Sequence, residues 1–330
     1  MEYRKIGQTD LKASVIGTGG YPFGPPLLDQ VQSAQVIEKA YEMGINFFDT
    51  SDVYGQGQSE IFLGKAVQGF RKNIILSSKF NLNNLEGKSP LQRIYDRCEE
   101  ALTKLRTDYL DLFQVHFSTP DVPHDELLGP LNELVEEGKV RYLGNCNTYS
   151  WRWLEELQFS RQNKLPEFES SQNHYSLLHR HPELELIPFC REHGKSLLAY
   201  FPLGGGWLTG IYEPGKPYPV GSRAAKVPTG IVTRMRSERV DRLVPVLEEF
   251  AHQRGHSLYE LALAWVISHH EVAVTLTGFD QPEHVEKNLR AIDWKLSTSE
   301  IDELDNLTSW WDGSNAIIDS SEPTPRTLAK

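Results

Sequence analysis

The alternation between short apolar runs and longer amphipathic segments most constrains the fold of this 330-residue chain. Strands of a parallel sheet that is covered on both faces read as continuous apolar stretches, and eight runs fit that description. In chain order they are SVIGTGG, INFFDTS, NIILSSK, LDLFQVH, VRYLGNCN, ESSQNHY, SLLAYFPL and AVTLTG. Eight such strands, each followed by helical sequence or a long loop, predict an α/β protein with a (β/α)8 TIM barrel.

The segments between the runs carry helical signals. Between Ile94 and Leu105 the apolar residues recur every three or four positions, which places them on one face of a helix. Gly44 and Gly138 follow two further segments of this kind, at the point where a helix often ends in a left-handed residue. Helices therefore lie between the predicted strands.

We expect residues 1–330 to form one barrel domain. A doubly wound open sheet is the main rival, but GTGGYPFG lacks the Gly-x-Gly-x-x-Gly spacing of its first turn. The opening EYRKIGQTDLKAS predicts a β-hairpin outside the barrel that plugs its bottom. Two segments rich in Gly, Pro and Ser exceed ordinary loops, and we interpret 203–235 as a cofactor and substrate loop and 308–330 as a C-terminal tail.

Composition excludes several classes of function. The net charge of −11 argues against a nucleic-acid binder or an anionic-membrane binder. The three cysteines form no disulfide framework, and the charged N-terminus does not resemble a signal peptide, so we expect a cytoplasmic protein that is a monomer or a small homo-oligomer. The His-Arg-His stretch at 179–181 lacks the spacing of a metal site, and we expect no metal.

Four polar residues close the second, third and fourth predicted strands. Asp49 ends the second strand and Tyr54 lies just beyond it, Lys79 ends the third strand, and His116 ends the fourth. Active residues of a barrel gather at the carboxyl ends of its strands. A carboxylate that holds an ammonium group beside a phenol would lower the pKa of the phenol, and a histidine could hydrogen-bond a substrate oxygen. The set predicts proton donation to a carbonyl while another group delivers hydride.

Each of the four residues also has an ordinary structural interpretation. Asp49 could cap the next helix, Tyr54 could be a packing residue, Lys79 a solvated rim charge and His116 a buried histidine with satisfied hydrogen bonds. Taken singly, these interpretations are the more common ones. The order and spacing of the four residues together favour catalysis.

The chain resembles the aldo-keto reductase family over nearly its whole length, from the first strand to Ile292. The segments that carry the resemblance are GINFFDTSDVYGQGQSEIFLGKAV, NIILSSKF, DYLDLFQVHF, KVRYLGNCN, QNHYSLL, AYFPLGGGWLTG and LTGFDQPEHVEKNLRAI. The resemblance implies a (β/α)8 barrel that binds NADP(H) or NAD(H) in extended form. It also implies that Asp49, Tyr54, Lys79 and His116 are the catalytic residues, with Tyr54 as the general acid.

The same resemblance implies a set of cofactor residues. Asn147 and Gln172 would hold the nicotinamide amide, Tyr200 would stack on the nicotinamide ring, and GSRA would reach the pyrophosphate through Arg223. The whole set is Gly20, Asn147, Gln172, Tyr200, Pro202, Leu203, Gly204, Arg223, Gly278, Asp280, His284 and Asn288. Aromatic residues would line the substrate pocket, namely Tyr21, Phe23, Phe80, Phe117 and Trp207, with Trp310 and Trp311 in the tail as further candidates.

Three positions depart from the family pattern. Cys146 replaces a usual serine, Phe117 follows His116 where tryptophan is common, and Asp280 lies where NADP-preferring members often carry a base or serine. Asp280 favours NAD(H), whereas the usual preference of the family favours NADP(H). The sequence therefore leaves the two cofactors nearly even. The expected substrate is a small carbonyl compound, or an alcohol or sugar in the reverse direction. A cofactor-binding regulatory subunit of the same fold with negligible turnover is the alternative.

Overall fold

The structure is a computed structural model that describes residues 1–83, 85, 87–117, 121–227 and 230–309. Two short strands, β1 (Tyr3–Lys5) and β2 (Lys12–Ser14), form an antiparallel hairpin. Eight strands follow and close into a parallel barrel in which β10 pairs with β3. They are β3 (Ile16–Gly19), β4 (Phe47–Asp49), β5 (Ile75–Phe80), β6 (Leu110–Val115), β7 (Val140–Cys146), β8 (Phe168–His174), β9 (Ser196–Tyr200) and β10 (Val272–Thr277). The predicted (β/α)8 barrel is confirmed.

Helices surround the barrel. They are α1 (Gln30–Glu42), α2 (Ser59–Ala66), α3 (Pro90–Leu105), α4 (His124–Glu136), α5 (Ser150–Asn163), α6 (Leu186–His193), α7 (Arg223–Lys226), α8 (Ile231–Met235), α9 (Glu238–His252), α10 (Leu258–Ile267), α11 (Pro282–Leu289) and α12 (Thr298–Thr308). The short helices α7 and α8 lie inside the predicted loop 203–235. Among the described residues, no helix combines the length and apolar character that a membrane span requires.

Local sequence explains where these helices begin and which face they bury. The side chain of Asp29 accepts a hydrogen bond from the backbone of Gln32, whose side chain accepts one from the backbone of Asp29, so α1 begins with a capping box. The face of α3 that contains Ile94 and Leu105 is buried. Gly44, after α1, has the φ of +87° that only glycine adopts without strain.

The hairpin closes the amino end of the barrel. Ile6 and Leu11, in the loop between β1 and β2, are buried and pack with Phe47, Ile75 and Leu112, which come from the early parts of three barrel strands. This apolar layer fills the bottom of the barrel and keeps water from the interior. The carboxyl ends of the strands therefore form the open end, where the polar residues lie.

Candidate active site

The polar residues predicted from the strand ends meet at one cavity. Asp49 is the last residue of β4, Lys79 lies one residue before the end of β5, and His116 directly follows β6. Tyr54 begins a short 3-10 turn after β4. A cavity of about 950 Å³ opens at this end of the barrel, and Asp49, Tyr54 and His116 line it. Parallel strands explain the grouping, because they deliver their carboxyl ends to the same rim.

Asp49 and Lys79 form a buried ion pair. Lys79 Nζ lies 2.5 Å from Asp49 Oδ2 and donates a second hydrogen bond of 2.8 Å to the carbonyl oxygen of Thr50. Both side chains are almost inaccessible to solvent. Burial alone would lower the pKa of Lys79, but the adjacent Asp49 carboxylate outweighs it and raises that pKa above its usual value. Lys79 is therefore a fixed positive charge.

The second carboxylate oxygen of Asp49 is held by three more donors. Oδ1 accepts hydrogen bonds from Ser77 Oγ at 3.1 Å, Gln114 Nε2 at 3.0 Å and Gln172 Nε2 at 3.1 Å. Sequence reasoning missed Ser77 and Gln114. The sequence did contain a signal for Gln114, because this polar residue lies inside an apolar strand. It precedes His116 by two positions, so the two side chains lie on the same face of that strand. These donors hold the Asp49 carboxylate in one orientation.

Tyr54 lies against the ammonium group of Lys79. Lys79 Nζ is 4.8 Å from the centre of the Tyr54 ring. Burial raises the pKa of Tyr54 to about 12, although the charge of Lys79 lowers it and that of Asp49 raises it. Lys79 has the lowering effect that the sequence led us to expect, but the net pKa is raised because the desolvation of the phenolate outweighs the attraction of Lys79. At neutral pH the Tyr54 phenol is protonated, so it can donate a proton.

His116 is a neutral imidazole beside Tyr54. The two ring centres are 5.8 Å apart with the planes nearly perpendicular, and the Phe117 ring stacks on the His116 ring with their centres 4.4 Å apart. Burial and the charge of Lys79 lower the pKa of His116 to about 3, against an opposing effect of Asp52. His116 can therefore form hydrogen bonds in the cavity but carries no charge at neutral pH.

Hydrogen bonds also join the carboxyl ends of three strands, β6, β7 and β9, at the cavity. Asn147 Nδ2 donates to the carbonyl oxygen of His116 at 3.1 Å, and the Tyr200 hydroxyl donates to Asn147 Oδ1 at 2.8 Å. Asn147 and Phe201 both have positive φ, +53° and +50°, which is uncommon outside glycine. Such strained residues cluster at functional sites, and here they turn the backbone at the cavity rim.

The structure brings most of the predicted cofactor residues to this cavity. Its lining includes Asn147, Gln172, Tyr200, Pro202, Leu203, Arg223, Gly278, Asp280, His284 and Asn288. Gly20 and Gly204 are not part of the lining, and Gly205 and Gly206 lie in the wall instead of Gly204. Gly20 supports the site from behind. Its N–H donates to the carbonyl oxygen of Asp49 at 2.7 Å, and a Cβ there would lie 2.7 Å from that oxygen.

The predicted substrate-pocket aromatics divide into two groups. Tyr21 and Phe117 line the cavity. Phe23, Phe80 and Trp207 lie outside it, because all three are fully buried in the hydrophobic core. Large apolar rings gain more from such burial than from an open wall. Trp310, Trp311 and the rest of the predicted tail beyond residue 309 lie outside the described residues.

Basic side chains form one part of the cavity wall. Arg223, Lys226, Arg234 and Lys287 all line it. The Arg223 guanidinium lies 4.5 Å from the centre of the Tyr21 ring. Its Nη2 atom is buried and makes no hydrogen bond within the described part of the chain. A buried donor of this kind fits an anionic ligand.

Comparisons with known proteins agree with this geometry. Residues 15–309 match the sequence model of the Aldo/keto reductase family. An aldo-keto reductase of Fusarium vanettenii is 30% identical over 93% of this chain and 91% of its own length. Versiconal hemiacetal acetate reductase of Aspergillus parasiticus is 28% identical over 92% and 96%. A putative voltage-gated potassium channel subunit beta of Schizosaccharomyces pombe is 28% identical over 93% and 94%.

The family match covers the eight barrel strands and the four residues grouped at their carboxyl ends. The fold, the buried ion pair beside a phenol and the matching segments all lead to the same conclusion. This chain belongs to the aldo/keto reductase family.

Proposed function

We propose that the chain is an NAD(P)-dependent oxidoreductase that interconverts a small carbonyl compound and its alcohol. The observation that carries this proposal is the position of the Tyr54 phenol, which lines the cavity beside His116 while the Lys79–Asp49 ion pair lies directly behind it. A protonated phenol next to a fixed positive charge suits proton transfer to a substrate oxygen.

The residues present fit a nicotinamide dinucleotide. The unpartnered Nη2 of Arg223 and the neighbouring Lys226 and Arg234 would hold the pyrophosphate, because these groups bring positive charge to the cavity wall. Gln172 lies beside the catalytic residues, because its Nε2 donates a hydrogen bond to Asp49 Oδ1. Together with Tyr200, which also lines the cavity, it would hold the nicotinamide. When bound there, the dinucleotide would supply a hydride to the carbonyl carbon, or take one from the alcohol.

The residues of the chain would handle the proton. Tyr54 would donate its phenolic proton to the substrate oxygen during reduction and would take it back during oxidation. Lys79 would stabilise the resulting phenolate, since the charges lie close together in a buried site, and Asp49 would hold Lys79 in place. His116 would orient the substrate through its ring nitrogen on the cavity side. Loss of a general acid typically costs about 100- to 10,000-fold in rate.

The choice between NAD(H) and NADP(H) rests on the part of the cavity wall that follows β10. Asp280 lies there, before α11, and His284 and Lys287 in α11 line the cavity with it. An ionised Asp280 would repel a 2′-phosphate but would accept a hydrogen bond from a free ribose hydroxyl, whereas Lys287 would favour the phosphate. We propose real use of NADH with no more than a modest preference for NADPH.

The test is a panel of aldehydes, ketones and alcohols assayed with both dinucleotides in both oxidation states. The absorbance of the reduced nicotinamide reports turnover, and Tyr54→Phe serves as the matched control. We expect wild-type turnover with at least one carbonyl and loss of it in the variant, with dinucleotide affinity retained. Equal rates for the two proteins would refute the assignment of Tyr54.

A regulatory role without turnover is the second candidate, favoured by the similarity to the putative potassium channel subunit beta. Such a protein would bind the dinucleotide but would not need a working proton donor. The Asp49, Tyr54, Lys79 and His116 side chains occupy one site here, which favours the enzyme. Tight dinucleotide binding with no turnover across the panel would support the regulatory role instead.

A further inference from the structure

Helix α3 carries a charged residue on its buried face. Arg97 lies on that face with the apolar residues Ile94 and Ala101 and is only 1% exposed. It does not line the cavity, so its guanidinium group does not reach a substrate or a cofactor there. Charged side chains are almost never buried so completely unless other groups pair with them. The partners of Arg97 therefore indicate its role.

Two of those partners belong to elements that carry catalytic residues. Arg97 Nη2 donates a hydrogen bond of 3.3 Å to the carbonyl oxygen of Lys79, in β5. Arg97 Nε lies 3.4 Å from Oδ2 of Asp52, which is in the turn between β4 and Tyr54. One guanidinium group therefore joins the strand of Lys79 to the turn of Tyr54.

Two further carboxylates hold the guanidinium group from the side of the helices. Arg97 Nη2 also donates to Glu60 Oε1 at 3.2 Å, and Nη1 donates to Glu100 Oε2 at 2.8 Å. Glu60, in α2, is fully buried and accepts another hydrogen bond from Ser78 Oγ at 2.6 Å. Burial lowers the pKa of Arg97, but the carboxylates of Glu60 and Asp52 outweigh burial and raise that pKa above its ordinary value. Arg97 is therefore a permanent charge that is fixed in place.

The shape of the guanidinium group suits it to this position. It presents five N–H donors in a rigid planar fork, whereas a lysine ammonium is a compact point charge on a flexible stem. The fork lets one side chain fix the spacing between a backbone carbonyl of a strand and a carboxylate of a turn. We propose that Arg97 is a positioning residue that fixes the turn of Tyr54 to β5, and so holds the Tyr54 phenol beside the Lys79 ammonium group.

This inference rests on the proposed function and goes beyond it, because it names a residue that acts on catalysis without contacting a reactant. Lys79 Nζ lies 4.8 Å from the centre of the Tyr54 ring, and the attraction between a buried cation and a phenolate weakens with distance. Without Arg97, Asp52 loses its buried cation. Its side chain is already 16% exposed, so it can turn toward solvent and carry the turn of Tyr54 away from Lys79.

The first test is structural and does not depend on turnover. Crystal structures of the wild type, Arg97→Met and Asp52→Asn compare the distance from Lys79 Nζ to the Tyr54 ring centre. Asp52→Asn removes the charge that faces Arg97 but keeps an acceptor for the hydroxyl group of Ser51. We expect a longer distance in both variants, and an unchanged distance in either would overturn the proposal. Asp52 is partly exposed, so Asp52→Asn decides the question even if Arg97→Met does not fold.

The second test is a double-mutant cycle on carbonyl reduction. Misplacement of a reacting group by about 1 Å can cost about 100-fold in rate. We therefore expect kcat to fall by roughly tenfold to 100-fold in Arg97→Met and by less in Asp52→Asn, with dinucleotide affinity close to that of the wild type. If Arg97 acts through Asp52, the double variant should lose no more than Arg97→Met alone, because the contact is already broken. Losses that multiply would overturn the proposal.

Glu100→Gln is the matched control. It weakens another contact of the same guanidinium group, to a side chain that is 49% exposed, and should leave both kcat and the distance between Lys79 and Tyr54 unchanged. A loss of kcat as large as that of Asp52→Asn would show that Arg97 acts only through the stability of α3, against the proposal. If the distances change as expected but the wild type reduces no carbonyl, the proposed function fails while the role of Arg97 stands.

Discussion

Replacing Lys79 by methionine removes the cation from the centre of the site and leaves the Asp49 carboxylate buried. Methionine approximates the length of the lysine stem, so the change acts on charge more than on packing. Asp49 keeps the hydrogen bonds from Ser77, Gln114 and Gln172 but loses its charged partner at 2.5 Å. Breaking a buried ion pair by removing one partner typically costs about 3–5 kcal/mol of stability.

The expected cost converts into a shift of the melting temperature. The entropy of unfolding is about 2.1 cal/mol/K per residue, so it is roughly 0.7 kcal/mol/K for a chain of 330 residues. The melting temperature of Lys79→Met should therefore fall by about 4–7 °C. Calorimetry of wild type and Lys79→Met under identical conditions measures this shift. Carbonyl reduction should be lost as well, because the phenolate of Tyr54 would have no cation to stabilise it.

The double variant Asp49→Asn with Lys79→Met separates the two effects. It removes both charges while the asparagine oxygen can still accept from its neighbours, so we expect it to recover roughly half of the lost stability. It should not recover activity. Two results would refute the view that Lys79→Met leaves the Asp49 carboxylate as an uncompensated buried charge. One is a melting temperature of Lys79→Met within error of the wild type, and the other is a double variant less stable than Lys79→Met.

Four further predictions follow from individual residues. Tyr54→Phe should lower reduction by about 100- to 10,000-fold with little change in dinucleotide affinity, as measured by titration; retention of a tenth of the wild-type rate would contradict its role. Asp280→Ser should shift the kcat/KM ratio toward NADPH, and an unchanged ratio would show that Asp280 does not face the ribose. Gly20→Ala should reduce both activity and thermal stability, because its Cβ would lie 2.7 Å from the Asp49 carbonyl oxygen, whereas Gly69→Ala, in open space, should not. His116 should stay neutral from pH 8 down to pH 5 because its pKa is lowered to about 3. The NMR signals of His116 should therefore not titrate between pH 8 and pH 5. The contribution of His116 to stability should fall only as the pH drops below about 6.5, the pKa of histidine in the unfolded chain.

The sequence by itself determined the barrel. Eight apolar runs with helical segments between them leave few other ways to bury both faces of each strand, and each run became a strand of the closed barrel. It also placed Asp49, Lys79 and His116 at strand ends, because a polar residue that closes an apolar run must lie at the rim. These are local patterns, and a period of two or of 3.6 residues can be recognised without a structure.

The tertiary structure decided the electrostatics and the wall of the site. The pKa of Tyr54 is raised because atoms from other parts of the chain bury its phenol. The three donors to Asp49 Oδ1 likewise come from other strands of the barrel. Similarly, Tyr21 lines the cavity while Phe23, two residues later, lies in the core. Sequence gives the type and order of residues, but burial and partners come from contacts between segments far apart in the chain. Desolvation depends on those contacts, and it outweighs the nearest charge at Tyr54.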